Sequence, residues 1–347
     1  MVSSVRALLV SLVLFAPVPA VCQDAVVGRD AMQARLNAAP GYAGVFGVVR
    51  DDQIALGAAG QTLDQRPHET SEQIRWASVS KMITAILVFQ QVDDGTLDLD
   101  APVTRYVTLP TLPNADRITL RQLLAHRSGL AGQADTPDGP PGDLMQYCQV
   151  AAAEPGSVFL YNNCDTIVLG KVLEAMTGAS FIDLANARIG SVVGATLSVP
   201  STPRTEASLE DGSVEQPMWP SAYGPAGGLY GRIEDLLKID AALMDGRLIS
   251  ASALQTMLTG DPASGYAALS VWSYSPDLGS CIGKTRLVER YGEIGGVQMR
   301  NFLLPDLRVA LSVYSNDHRT VFGEVWQGHG LSVDLIRAAV CGPAAPE

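Results

Sequence analysis

Strand-like and helix-like patterns are segregated along this chain, with strands towards both ends and helices between them. That order narrows the folds open to it more than any other feature. The runs 43–50 (AGVFGVVR) and 53–60 (QIALGAAG) are apolar and partly β-branched, and polar Asp51-Asp52 separates them as a hairpin turn would. A helical stretch at 28–38 precedes them. Further helical patterns occupy 79–92, 119–126, 144–153, 163–177, 180–189, 233–244 and 250–258, interrupted by Pro- and Gly-rich loops at 131–143 and 199–228. Strand-like runs return at 266–274, 284–291, 296–304 and 308–315, and a last helix at about 320–340 closes the chain. The expectation is an α/β (α+β) fold: an antiparallel five-stranded sheet drawn from both termini, flanked by helices, with a helical subdomain inserted. Residues 28–60 and 265–340 would form the sheet part and 61–264 the mainly helical part of one catalytic domain, 21–347. Its site would lie in the cleft between the two parts.

The sequence has 347 residues, 47% hydrophobic and 17% charged, enough apolar material for a substantial core. The net charge is −12 and there are only four lysines, at 81, 171, 238 and 284. Such a surface disfavours nucleic acid and anionic membranes as partners, because phosphate binding needs an excess of cations. Arg6, the short apolar run 7–16, Pro17, Pro19 and Ala20 predict a cleaved signal peptide, 1–20, and hence a secreted or periplasmic protein with no membrane span after cleavage. Export permits disulfides. Cys22 lies beside the cleavage region; the other four cysteines allow three pairings, among which proximity along the chain alone favours Cys148 with Cys164 and Cys281 with Cys341.

The sequence lacks HExxH, paired CxxC, a P-loop, GxGxxG and GxSxG, and its four histidines lack metal-ligand spacing, so no metal or cofactor is expected. Three segments carry candidate chemistry. Ser78 and Lys81 open the 79–92 helix three residues apart, a spacing that places both side chains on one face; alone, the same pair could be a helix cap and a solvated lysine. A buried lysine loses part of its proton affinity and can activate a serine hydroxyl. Tyr161-Asn162-Asn163 follows a Pro-Gly turn and offers a phenol that a nearby lysine would acidify and an asparagine amide that can hydrogen-bond the lysine or the substrate amide; singly, Tyr161 could be a packing residue and Asn163 a helix cap. Arg290-Tyr291-Gly292-Glu293-Ile294-Gly295-Gly296 joins two strand-like runs. There a cation could hold a substrate carboxylate and glycines could let a substrate backbone approach; the plainer alternative is a hairpin with a surface arginine.

The order of these segments resembles the serine β-lactamase and penicillin-binding protein superfamily, in the branch of class C β-lactamases, D-alanyl-D-alanine carboxypeptidases, D-aminopeptidases and related esterases. That family has S-x-x-K, Y-x-N and K-T-G or H-x-G in sequence. The flanking segments Trp76–Lys81, Ile118–Leu130 and Ala226-Gly227-Gly228-Leu229-Tyr230 are also similar. The resemblance runs from about residue 28 to about 340. It implies Ser78 as nucleophile, Lys81 as its activator, Tyr161 as general base and acid, and Asn163 as a ligand for the substrate amide. It also implies an oxyanion hole from the Ser78 and Glu293 N–H groups, and a structural role for His126. The departure is Arg290-Tyr291-Gly292 in the third box. Arg290 keeps the charge but not the ability to share a proton, and Glu293 would either pair with Arg290 or face the substrate.

The implied reaction is acyl transfer through Ser78 to water, on a small-molecule or peptide substrate: a β-lactam or a D-amino-acid-containing peptide. The alternatives are an esterase or D-aminopeptidase of the same fold, and a catalytically silent relative that binds cell-wall fragments or a protein.

Overall fold

The computed structural model describes residues 25–132 and 142–344. The expected signal peptide, Cys22 and most of the 131–143 loop lie outside the described residues.

Helix α1 (Ala25–Ala38) leads into the hairpin β1 (Gly44–Arg50) and β2 (Gln53–Ala59), and a short β3 (Ile74–Arg75) precedes α2 (Ser80–Asp93). The helical middle comprises α3 (Leu120–Leu124), α4 (Cys164–Thr177), α5 (Phe181–Ala185) and α6 (Ser191–Val193). After β4 (Tyr230–Gly231) come α7 (Ile233–Met244) and α8 (Ala251–Met257). The chain returns to strands in β5 (Trp272–Tyr274), β6 (Leu287–Glu289), β7 (Gly292–Ile294), β8 (Val297–Leu304) and β9 (Val309–Ser315), and then enters α9 (Leu331–Cys341).

The main sheet is antiparallel, in the order β2-β1-β9-β8-β6-β5, with β7 also paired to β8. It joins the two ends of the described chain as expected, but among the described residues it has seven strands rather than five. Each of the six expected strand-like runs contributes one strand, and β7 is added in the segment between 284–291 and 296–304. β6 and β7 both pair with β8 and are separated by Arg290-Tyr291. The expected strand 266–274 survives only as β5, because Tyr266 and Ser270 adopt positive φ (63° and 69°) and break the extended backbone. The expected helix 144–153 is one turn, Leu144–Tyr147, and the last helix starts late, after Gly328 and Gly330 at φ 80° and 106°.

The sheet is covered on both faces, which explains why β1, β8 and β9 are apolar almost throughout rather than alternating. Met32, Leu36, Phe46, Val48, Leu311, Leu335 and Ile336 form the core under α1 and α9. The larger core contains Val45, Val49, Leu236, Leu237 and Ala310, and continues through α2 and α4 into the helical part. Helix α2 is buried from Ser80 to Gln91, so its apolar residues surround it instead of forming one stripe. The disulfides Cys148–Cys164 and Cys281–Cys341 both form, the first tying the 144–147 turn to the start of α4.

A buried ion pair fixes the part of the sheet nearest the helical middle. Arg75 donates to both carboxylate oxygens of Glu215 at 3.0 and 3.1 Å, to the Tyr230 hydroxyl at 3.1 Å and to the Ile294 carbonyl at 3.0 Å. The turn after β7 accommodates this pair: a Cβ on Gly295, at φ 61°, would lie 2.0 Å from Glu215 Oε2. Gly295 therefore makes room for a buried carboxylate rather than for a substrate backbone.

Candidate active site

Ser78 sits in a tight turn, Ala77–Val79, immediately before α2. The turn is strained, with Ala77 at φ 46°, a conformation that a residue with a Cβ rarely adopts. β7 packs against it so closely that a Cβ on Gly292 would lie 2.6 Å from both the Ser78 nitrogen and the Trp76 oxygen. Gly292 thus lets the sheet touch the Ser78 backbone.

Lys81 lies one helical turn on, fully buried, and its ammonium donates to Ser78 Oγ at 3.1 Å, Asn163 Oδ1 at 2.7 Å and the Ala226 carbonyl at 2.7 Å. Three acceptors match the three protons of an ammonium. Burial lowers the Lys81 pKa to about 8; the nearby Tyr161 opposes this and Arg290 adds to it. Of the two partners the sequence offers Asn163, Lys81 and a substrate amide, its oxygen accepts from Lys81, from the N-cap position of α4.

Tyr161 donates to Ser78 Oγ at 2.9 Å and accepts from Arg290 Nη2 at 2.6 Å. Its residue is 41% exposed, with the hydroxyl directed into this cluster. Burial of the phenol raises its pKa, but the charges of Arg290 and Lys81 and the bond to Ser78 outweigh that and bring it down to about 7. Behind the ring, 4.6 Å away, is His126, held in a neutral form by burial and by the repulsion of Arg290 and Lys81. His126 Nδ1 is 3.2 Å from Asp165, which also receives Ser128 and Asn162, so this network braces the Tyr161 loop.

Arg290 is 1% exposed and points inward. Its Nε donates to the Ser78 carbonyl at 2.8 Å and its Nη2 to Tyr161. The guanidinium lies 5.2 Å from the Tyr161 ring centre and 5.3 Å from that of Trp272. Arg290 is thus neither a surface residue nor an open carboxylate clamp; of its guanidinium nitrogens only Nη1 lacks a partner, and that atom is buried. Glu293 pairs with Arg300 at 2.9 Å, not with Arg290.

The structure therefore brings Ser78, Lys81, Tyr161, Asn163, Arg290 and Gly292 into contact and leaves the Glu293 carboxylate turned to a neighbouring strand. Sequence reasoning missed Ala226, the third anchor of Lys81, although its Ala-Gly-Gly segment was part of the family pattern. It also missed Trp272, one of three aromatics in the strand-like run 266–274. A cavity of about 360 Å³ beside His68, Glu72 and Glu206 contains none of these residues.

Comparison with known proteins accords with this geometry. The Beta-lactamase family model matches residues 29–329. A D-aminopeptidase of Cereibacter sphaeroides is 25% identical over 346 residues, covering 92% of this chain and 64% of the relative. PbpX of Bacillus subtilis, named provisionally as a penicillin-binding protein, is 26% identical over 242 residues, 65% of this chain and 61% of the relative. The chain thus spans less than two thirds of the length of either. Among solved structures, a D-stereospecific amidohydrolase from Streptomyces sp. superposes with a TM-score of 0.72 at 25% identity, covering 93% of this chain and 100% of the other. The family match runs from α1 through the helical middle to the far side of β9, and this chain belongs to the Beta-lactamase family, within the serine β-lactamase and penicillin-binding protein superfamily of serine hydrolases.

Proposed function

We propose that the protein is an exported serine amidohydrolase that cleaves amides or short peptides of D-amino acids through an acyl-enzyme on Ser78. One observation carries this reading: Ser78 Oγ is hydrogen-bonded at once by the Lys81 ammonium and by a Tyr161 hydroxyl whose pKa is about 7. In the phenolate form Tyr161 accepts the Ser78 proton as Oγ attacks the carbonyl carbon. The developing oxyanion is received by the Ser78 and Glu293 N–H groups. Tyr161 then returns its proton to the leaving amine, and the acyl-enzyme is opened by water that Tyr161 deprotonates. Lys81 remains an ammonium and holds Ser78 in register.

The amide reading is favoured over a β-lactam or a peptide with a free D-terminal carboxylate. Both of those bring a carboxylate to the cleft, and the cation that would receive it is committed to Ser78 and Tyr161. The D-aminopeptidase and D-stereospecific amidohydrolase relatives support the same preference. The reading includes 21–347 as a single catalytic domain and 1–20 as a cleaved signal, which N-terminal sequencing of the exported protein would test.

Turnover of D-alanyl-p-nitroanilide, its L-isomer, nitrocefin and p-nitrophenyl acetate would be compared for the wild type and Ser78→Ala. The D-anilide should be the best substrate, and Ser78→Ala should lose both turnover and labelling by a fluorophosphonate probe. Nitrocefin turnover well above that of the D-anilide, or full activity in Ser78→Ala, would overturn the proposal.

A further inference from the structure

Beside the Ser78 cluster lies a second space that the proposed chemistry does not use. It is a cavity of about 330 Å³ walled by Tyr266, Trp272, Tyr274, Tyr291 and Trp326, with the carboxyl groups of Glu289 and Glu324. Trp272 joins the two sites: its ring is 6.1 Å from that of Tyr161 on one side and stacked at 5.6 Å on Tyr291 on the other. Tyr266 and Tyr274 lie 6.1 Å apart. At the mouth, Tyr266 and Trp326 are 47% and 68% exposed. Large aromatic side chains left in water around a concave space mark a binding surface.

The composition of the wall selects the ligand. Aromatic faces carry negative quadrupole charge and attract cations, and carboxylates reinforce that attraction. The neighbouring cations do not cancel it. Arg300 lies over Tyr291 but is paired with Glu293, and Arg290 faces Tyr161 and the Ser78 carbonyl. An anionic group would meet two carboxyl groups, and a purely apolar one would desolvate them without adding an opposite charge.

We propose that this cavity is a substrate subsite for an ammonium-bearing group, placed one aromatic ring away from the catalytic tyrosine. The assignment rests on the amidohydrolase reading for its role in catalysis but not for the binding itself. Glu289 is buried, and burial holds its pKa up at about 7, so a bound cation would also draw it towards the ionised form.

The probes are choline and its neutral isostere 3,3-dimethylbutan-1-ol, titrated by proton NMR into the wild type, Ser78→Ala, Trp326→Ala and Glu324→Gln. Choline should bind at least about tenfold more tightly than the isostere, and the Trp326 and Glu324 variants should each weaken it by about fivefold or more. Ser78→Ala should bind choline as the wild type does. In turnover assays choline should raise KM for the D-anilide and leave kcat unchanged. Equal affinity for the two probes, or choline affinity unaffected by both wall variants, overturns the cation site. Choline binding that leaves KM unaltered overturns its role as a substrate subsite. Choline binding by a protein that hydrolyses none of the substrates would sustain the cation site while removing the hydrolase reading.

Discussion

Arg290 Nη2 lies 2.6 Å from the Tyr161 hydroxyl, and this contact makes Arg290 the partner of the proposed general base as well as a support for Ser78. A permanently charged guanidinium stabilises the phenolate without competing for its proton. Arg290→Gln should therefore raise the Tyr161 pKa. The acidic limb of the kcat/KM profile should move up by a unit or more, with a loss on the order of tenfold to a hundredfold at pH 7 whose ratio to the wild type narrows as pH rises. Arg290→Lys should retain more activity than Arg290→Gln. A profile unmoved by Arg290→Gln would show that the contact does not set the base.

The pair Tyr161 and Lys81 should give a bell-shaped profile. Activity rises as Tyr161 ionises near its pKa of about 7 and falls as Lys81 loses its proton near about 8, the two limbs belonging to the coupled pair. Tyr161→Phe should remove the acidic limb and lower kcat by roughly 10²–10⁴-fold, the usual span for a lost acid–base group. Stopped-assay rates from pH 5 to 10 provide the measurement.

Gly292→Ala places a methyl group 2.6 Å from the Ser78 nitrogen. The atoms it meets first are backbone and cannot rotate away, so the Ser78 turn itself must shift. A cost of about 1–3 kcal/mol in stability is expected, together with a fall in kcat larger than any rise in KM. Denaturant melts and steady-state kinetics would separate these effects; unchanged kcat would mean that the turn tolerates the shift.

Asp240 is buried with one oxygen accepting from Asn301 at 3.2 Å, and burial raises its pKa to about 8. The folded state therefore holds this proton more tightly than the unfolded state. Its destabilising effect is absent below about pH 4 and grows as pH rises towards about 8. Asp240→Asn cannot ionise. Its stability relative to the wild type should increase between pH 5 and 8 by an amount on the order of 2–4 kcal/mol. Parallel urea melts at the two pH values test this, and a constant difference would count against it.

The two disulfides close chain separations of 16 and 60 residues. On loop entropy alone they stabilise by about 3 and about 4 kcal/mol. The double variant Cys281→Ala/Cys341→Ala should therefore melt below Cys148→Ala/Cys164→Ala, as differential scanning calorimetry would show.

The sequence disclosed the Ser78–Lys81 relationship because three residues along a helix is a local distance, and the strand–helix–strand order because hydrophobic period is local too. It did not disclose where Arg290 points. That depends on Trp272, Tyr161 and the Ser78 carbonyl, brought together by pairing across the sheet. The same holds for Glu293. With Glu293 opposite Gln298, Arg300 is its diagonal neighbour, but that register depends on how the Gly295-Gly296 turn closes over Glu215. The expected strand 266–274 is too long because single residues at positive φ, such as Ser270, interrupt a run of apolar composition, and β7 is not legible because Gly292-Glu293-Ile294 is too short to show a period.

Arg290 reaches back across 212 residues to the carbonyl of Ser78. On the ribosome, the proposed nucleophile and its lysine are therefore made long before the strands that seat them. A nascent chain carries Ser78 and Lys81 without Gly292 pressed against the turn or a cation beside Tyr161. Competence for catalysis thus arrives late in synthesis, when the final strands close the sheet, and a chain that stops short of them carries the motif without the enzyme.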